Sequence, residues 1–352
     1  VGDERPLAQR PQWTVVTIDG SYGEGGGQIL RTSASLAAIT GQPVRIENVR
    51  AGRASPGLKA QHLTAIQAAM RVCNGSLEGA RVGSTDVVLT PGSPVQAGRY
   101  EFDIGTAGST ALVLQTLLLP LLRTEEPSHV SLVGGTHNLN APSSDYLRHT
   151  FLRGAALQDV EIAVERVGFF PRGGGRMTVD LRPDRLGPID RAERGARTLL
   201  TAIVSVSDIL PPHIVERAHS EIRRRAQASG WVLEPVFVTS PTFSPGMAVH
   251  LDAAYENGAG GFTALGRKGL PTERVVEEAW TAMEAFDGSG ATVDEHLADQ
   301  LVLPALFADG ASEYRTSRVT EHLRTMAWLV PQFGVGRIAI DEAKDRVRVY
   351  PA

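Results

Sequence analysis

Residues 18–31, IDGSYGEGGGQILR, set five glycines between a β-like run and a helix-like run. Backbone N–H groups of Gly25, Gly26 and Gly27 at a helix start can form an anion nest, because the helix dipole favours negative charge there. The loop lacks the Lys-Ser/Thr ending of a P-loop, and Glu24 at its centre would repel a bare phosphate. A divalent cation between them removes that conflict, since Mg²⁺ takes one or two carboxylates plus phosphate oxygens. A tight turn bearing an exposed acid accounts for the loop alone equally well.

Cations gather nearby in sequence. Arg31 lies one turn into the helix, and RAGRASPGLKAQH adds Arg50, Arg53, Lys59 and His62 within thirteen residues, with Gln61 among them. Small residues around Arg50 and Arg53 leave room for a ligand, and a guanidinium fork suits phosphate oxygens. With the second glycine-containing loop, GTAGST, the pattern favours a polyphosphate or nucleotide site over a solvated basic loop. A nucleophile for phosphorus would be a neutral imidazole. His296 in DEHLADQL and His322 in VTEHLRTM both sit in polar helix-like contexts, and spacing does not separate them from surface histidines.

The elements that must position these groups repeat one plan: strand, glycine-rich loop, amphipathic helix. TVVTIDG leads to EGGGQILRTSASLAAIT, YEFDIG to TAGSTALVLQTLLLPLL, and HVSLVGG to NAPSSDYLRHTFLRGAAL. Between them lie the β-like PVRIENV and a helix in which Leu63, Ile66, Met70 and Cys73 fall at helical spacing. Ser143 and Ser144 suit an N-cap, with Pro142 just before. The implied architecture is a repeated strand-helix unit with its helices on one side of a sheet.

After LRPDRLGPIDRAERGAR the chain becomes richer in solvated charge and has no comparable glycine loop. A strand, a helix, three strands and another helix are expected to about residue 285, as an inserted small domain. GASEYRTSRVTEHLRTMAWLVPQFG returns to strand-helix order, and GRIAIDEAKDRVRVYP reads as a hairpin. The expected division is a leader over 1–13, a main domain over 14–185 and 286–352, and an insertion over 186–285.

Composition bounds the chemistry. The 352 residues are 42% hydrophobic and 21% charged, enough for two cores, with no apolar run long enough for a membrane span. A single cysteine, Cys73, excludes an intramolecular disulfide framework and any zinc site built on several thiolates, so a reducing cytoplasm is expected. A net charge of −4 argues against coating long nucleic acid, while leaving room for a local basic pocket that grips one end.

Taken together, DGSYGEGGGQILRTS, RAGRASPGLKAQHLTA, GTAGSTALVLQT, GGTHNLNAPSSDYL, GFFPRGGG and EHLADQLVLP resemble the RNA 3'-terminal phosphate cyclases, in order, from about residue 14 to the C-terminus. The resemblance implies an α/β (α+β) fold: a main domain of repeated βαβαββ units, as in an initiation-factor C-terminal domain and the enolpyruvyl transferases, with a smaller α/β insertion. It implies ATP and Mg²⁺ or Mn²⁺ as cofactors, and RNA ending in a 3'-phosphate as partner; DNA ends and a homodimer stay open, and no membrane is implied. It implies three steps: a histidine takes AMP from ATP, AMP passes to the RNA 3'-phosphate, and the vicinal 2'-hydroxyl closes a 2',3'-cyclic phosphate.

Residue by residue, the resemblance makes His322 the nucleophile and Glu24 the metal ligand. Arg31, Arg50, Arg53 and Gln61 match the phosphate-contacting and activity-supporting set, with His62 a weaker neighbour. Gln115, Pro142, His296, Asp299 and Gln300, with Gly25 and Gly26, match the nucleotide site. One departure is His296, standing where the family often has a tyrosine stacked on adenine opposite Pro142; imidazole offers less stacking area. Cyclase-like proteins of ribosome assembly, which lack the histidine, and enolpyruvyl transfer are the competing readings, and fold alone does not choose among them.

Overall fold

The computed structural model describes residues 15–352; the leader expected over 1–13 lies outside the described residues. The described residues begin with β1 (Val16–Asp19), α1 (Gly27–Thr40), β2 (Val44–Glu47), α2 (Ala60–Val72), β3 (Ser76–Glu78) and β4 (Val87–Thr90). Next come β5 (Arg99–Asp103), α3 (Thr110–Leu122), β6 (Ser128–Gly134), a π-helical turn (Tyr146–Phe151) running into α4 (Leu152–Gly154), β7 (Val160–Arg166) and β8 (Gly175–Leu181). The short β9 (Asp190–Arg191) precedes β10 (Arg197–Ser207), α5 (His213–Ser229), β11 (Leu233–Ser240), β12 (Met247–Tyr255), β13 (Gly258–Leu265) and α6 (Thr272–Ser289). The chain ends with α7 (Glu295–Gln300), α8 (Val302–Leu306), β14 (Ser312–Arg315), α9 (Glu321–Leu329), β15 (Gly336–Asp341) and β16 (Arg346–Pro351).

Among the described residues, three of the four sheets share one strand order. β1-β2-β4-β3, β5-β6-β8-β7 and β9-β14-β16-β15 each run first-second-fourth-third. In each, the first pair is parallel and the other two are antiparallel. A parallel pair needs a crossover, and α1, α3 and the long excursion after β9 supply it. The third sheet is therefore closed by β9, which falls inside the stretch expected as the insertion, so its parallel partner β14 lies far along the chain.

The fourth sheet, β11-β10-β12-β13, carries α5 and α6 against its own core, including Leu200, Val204, Ile222, Leu251, Trp280 and Phe286. Every residue of β12 is buried. Alternation explains how: Val249, Leu251 and Ala253 belong to that core, while His250 and Asp252 on the opposite face bond to Thr150 of the π-helical turn. Arg153 of α4 pairs with Asp252 as well. The widened turn lets Tyr146 and Thr150 face the same side, Tyr146 bonding to Asp294 at 3.1 Å.

Helix ends follow their chemistry. Ser109 Oγ accepts the Leu112 N–H at the start of α3, Ser143 Oγ accepts that of Tyr146, and Thr320 Oγ accepts that of Leu323 at the start of α9. Of the two serines expected as caps before DYLRHTFL, Ser143 does the capping. The apolar ALVLQTLLLPLL run is a buried helix through Pro120, with no helix among the described residues long and apolar enough to cross a membrane.

Candidate active site

The glycine loop lies against α9. Gly23 and Gly25 have φ of 58° and 54°, a left-handed backbone that glycine adopts without strain. A Cβ on Gly23 would come within 2.6 Å of Thr325 Oγ1 on α9. Next to it the Tyr22 ring stacks on Trp328 of the same helix, centroids 3.9 Å apart and planes 8° from parallel. This clasp sets Glu24 Oε2 at 3.3 Å from His322 Nε2 and 3.0 Å from Arg53 Nη2.

His322 is the second residue of α9, at the positive end of the helix dipole, which disfavours imidazolium. Burial lowers its pKa from the usual 6.5; Glu24 opposes this, and Arg31, His296 and Arg53 reinforce it. The neutral ring therefore prevails near neutral pH. His62 is more extreme, pulled down to about 3 by burial and then by Arg31, Arg50 and Lys59. Its Nδ1 accepts the Lys59 N–H at 3.2 Å, so the neutral ring carries its proton on Nε2.

That Nε2 and the Arg31 guanidinium both crowd Gly27, where a Cβ would overlap the imidazole and lie 2.6 Å from Arg31 Nη1. A Cβ on Gly26 would lie 3.2 Å from Arg53 Nη2. Gly26 caps α1 with no side-chain acceptor, and no acid occupies the first turn. Donors from the helix start, Arg31, Arg53 and His62 thus converge on one small volume, suited to a phosphate chain. Arg50 is placed differently: at φ 56° it is buried, and its Nη1 donates to the carbonyls of Ser55 and Gly57 at 2.7 and 3.0 Å. It shapes the loop that carries Arg53.

Gln61 Oε1 accepts the Ser109 N–H at 3.1 Å, tying α2 to the GTAGST loop. Behind Arg31 lies a cavity of about 70 Å³ that Gln28, Gln115, Asp299 and Gln300 help to line, room for several waters. Gln115 Nε2 donates to Gln300 Oε1 at 2.6 Å, and Gln28 Nε2 to Asp299 Oδ2 at 2.9 Å. Burial, then Asp294, pushes the Asp299 carboxyl up to about 8, with Arg31 and Gln28 pulling the other way. His296 is exposed on α7, near enough to His322 to affect its charge. Pro142 is half-buried just ahead of the Ser143 cap.

Residues 22–340 match the sequence profile of the RNA 3'-terminal phosphate cyclase family. The chain belongs to that family. Proteins named RNA 3'-terminal phosphate cyclase are similar to it over nearly their whole length. One from Trichormus variabilis is 41% identical over 344 residues, 95% of this chain and 99% of the relative. One from Methylococcus capsulatus is 42% identical over 339 residues, 93% of each chain. One from Pyrobaculum neutrophilum is 41% identical over 336 residues, 94% of this chain and 96% of the relative.

Within this cyclase-family site, sequence reasoning passed over Tyr22, Thr325 and Trp328, which hold the loop, and Gln28, which holds Asp299. Thr325 follows His322 by three residues and Trp328 follows Thr325 by three, successive i,i+3 neighbours along α9. Among the described residues no group of three or more His, Cys, Asp or Glu side chains gathers as a ready-made metal site. Glu24, half-exposed beside the phosphate-suited volume, offers one carboxylate. One carboxylate plus substrate phosphate oxygens is a donor set that Mg²⁺ or Mn²⁺ accepts, so the residues present fit such an ion.

Proposed function

We propose that this chain is an ATP-dependent RNA 3'-phosphate cyclase with His322 as its nucleophile. The observation that carries the reading is the His322 imidazole at the start of α9, 3.3 Å from Glu24 and facing a glycine loop ringed by cations. An unprotonated ring nitrogen of His322 attacks the α-phosphorus of ATP; a P–N bond forms and pyrophosphate leaves. Positive charge developing on the ring is offset by Glu24, while Arg31, Arg53 and His62 Nε2–H hold non-bridging oxygens. An oxygen of the RNA 3'-phosphate then displaces the histidine, giving RNA(3')pp(5')A. Finally the 2'-hydroxyl oxygen attacks the 3'-phosphorus, loses its proton and releases AMP. Because the hydroxyl is vicinal, closure is intramolecular.

Glu24 is the residue proposed to hold Mg²⁺ or Mn²⁺, which when bound would neutralise phosphate charge. Gly25 and Gly26 would supply backbone donors to ATP; Gln115, Asp299 and Gln300 would organise the wall behind Arg31, with His296 and Pro142 near the base. Gln61 and Arg50 would act by fixing the loops. We take the β10–β13 sheet with α5 and α6 as the inserted small domain and the three like-ordered sheets as the main one. A cytoplasmic location, transfer of AMP to DNA ends and a homodimer are compatible extensions of this reading.

Incubation with α-labelled ATP and Mg²⁺ or Mn²⁺ should yield an acid-labile, alkali-stable protein-AMP bond that His322→Ala abolishes. If that variant labels as well as the parent, the nucleophile is another residue. Product analysis on an RNA ending in 3'-phosphate tests the second half, a 2',3'-cyclic end being expected.

A further inference from the structure

The GFFPRGGG stretch has no part in the chemistry above, yet it shapes a surface next to it. Phe169 packs inward against Gly246 and lies 5.5 Å from the His137 ring, whereas its neighbour Phe170 is 76% exposed. Leu139, at 78%, and Phe243, at 46%, are exposed on adjoining loops. Exposed rings of this size are a cost that an occupant would relieve.

Close packing gathers these loops. A Cβ on Gly174 would overlap the Phe243 ring, and the Arg172 N–H donates to Ser244 Oγ at 3.1 Å. Residue 137 bridges residue 169, which brings the Leu139 loop alongside. Arg166 and Arg172 lie 4.7 and 5.6 Å from the Phe243 ring centroid, and Arg166 Nε donates to the Gly174 carbonyl at 2.6 Å. The loops 137–142, 168–175 and 241–246 contain no Asp or Glu.

This ledge is continuous with the active site. A Cβ on Gly173 would lie 2.7 Å from Ala107 Cα, and the Asn138 amide donates to the Ala107 carbonyl at 2.5 Å. One residue further, Gly108 abuts Gln61, whose neighbour His62 faces Gly27. The GTAGST loop thus has the ledge on one side and Gln61, beside the phosphate volume, on the other.

We propose that the ledge is the docking platform for the single-stranded nucleotides preceding the RNA 3'-phosphate: bases stack on Phe170 and Phe243, and Arg166 and Arg172 meet the backbone phosphates. This rests on the cyclase reading, which puts the RNA terminus at His322 and leaves the upstream strand to exit along the protein. Flat rings interleaved with arginines suit splayed bases of any sequence, and loops that carry no carboxylate of their own suit a polyanion, Asp208 beside them accepting the Thr242 N–H at 3.3 Å.

The test compares the parent with Phe170→Ala, Phe243→Ala and the conservative Phe170→Tyr, which keeps a ring face. Labelling of the protein by ATP without RNA should stay within twofold for all. The KM for a 3'-phosphorylated ten-nucleotide RNA should rise roughly fivefold to a hundredfold in the alanine variants, with Tyr near the parent. The KM for a nucleoside 3'-phosphate should not change. Normal labelling with an unchanged ten-nucleotide KM would overturn the platform. So would loss of a dimer by sedimentation in Phe170→Ala with RNA affinity intact, which would make the ledge a contact between copies. If the parent itself takes no AMP, the cyclase reading fails; fluorescence anisotropy of the labelled ten-mer on parent and Phe170→Ala still decides the platform.

Discussion

Replacing Gly27 with alanine separates the fold's needs from those of the site. Gly27 opens α1, where its backbone is helical and alanine is the better helix former by up to about 1 kcal/mol. The new methyl, however, would lie 2.8 Å from His62 Cδ2, with Nε2 closer still, where ordinary contact begins near 3.4 Å. The ring must retreat by at least the difference, about 0.6 Å. It has little freedom to do so, being buried and anchored through Nδ1 to the Lys59 N–H. Arg31 Nη1, at 2.6 Å, can swing away on its long stem, but only by leaving the phosphate volume. Overpacking of this kind costs about 1–3 kcal/mol; set against the helix gain, the net loss is roughly 0–3 kcal/mol, and the protein stays folded. Displaced donors cost far more in rate, on the order of a hundredfold for misplacements near 1 Å. Single-turnover labelling with ATP, beside urea unfolding, reads both quantities. Gly27→Ala/His62→Ala should regain stability without regaining rate. Labelling by Gly27→Ala within threefold of the parent would refute the claim that donors converge over Gly27.

Acid stability should report on His62. Its folded pKa of about 3 lies below the unfolded 6.5, so between those values the unfolded chain binds the extra proton and stability rises with pH. Its contribution is complete above 6.5 and lost as pH falls; His62→Gln should narrow the difference in unfolding free energy between pH 7 and pH 4.5 by about 2–3 kcal/mol, measured with urea. Glu24→Gln should slow labelling and shift its metal titration to higher Mg²⁺ or Mn²⁺; an unchanged titration would leave the loop a mere turn. Arg153→Met leaves the fully buried Asp252 carboxylate without its cation and should cost roughly 3 kcal/mol of stability, which Arg153→Met/Asp252→Leu should partly restore.

Much of this was legible in the sequence because local rules carried it. Glycines at 23 and 25 where φ is positive, hydroxyls at helix starts, and the recurrence of strand, glycine loop and helix all act within a few residues of themselves. His322 could not be told from His296 on that basis, since what distinguishes them is contact with Glu24, nearly three hundred residues away in sequence. The same limit hid the Tyr22–Trp328 stack and the burial that raises Asp299. β9 escaped notice because two residues make no periodic pattern; its partner supplies the reason for it to be a strand. Arg50 read as a phosphate ligand from its neighbours, and its bonds to the Ser55 and Gly57 carbonyls emerge only once the loop is closed.

The pairing of β9 with β14 also orders events in time. Residues 190–191 find their neighbour only after the chain has travelled to 312–315. Closing so long a loop costs only a little more entropy than closing a short one, because the cost grows with the logarithm of length. It is slow all the same, since non-local pairings form late. Among the described residues, the sheet that backs α9 is completed after the other three. In the proposed chemistry, His322 therefore reaches Glu24 only after the glycine loop of residues 23–27 has already been made.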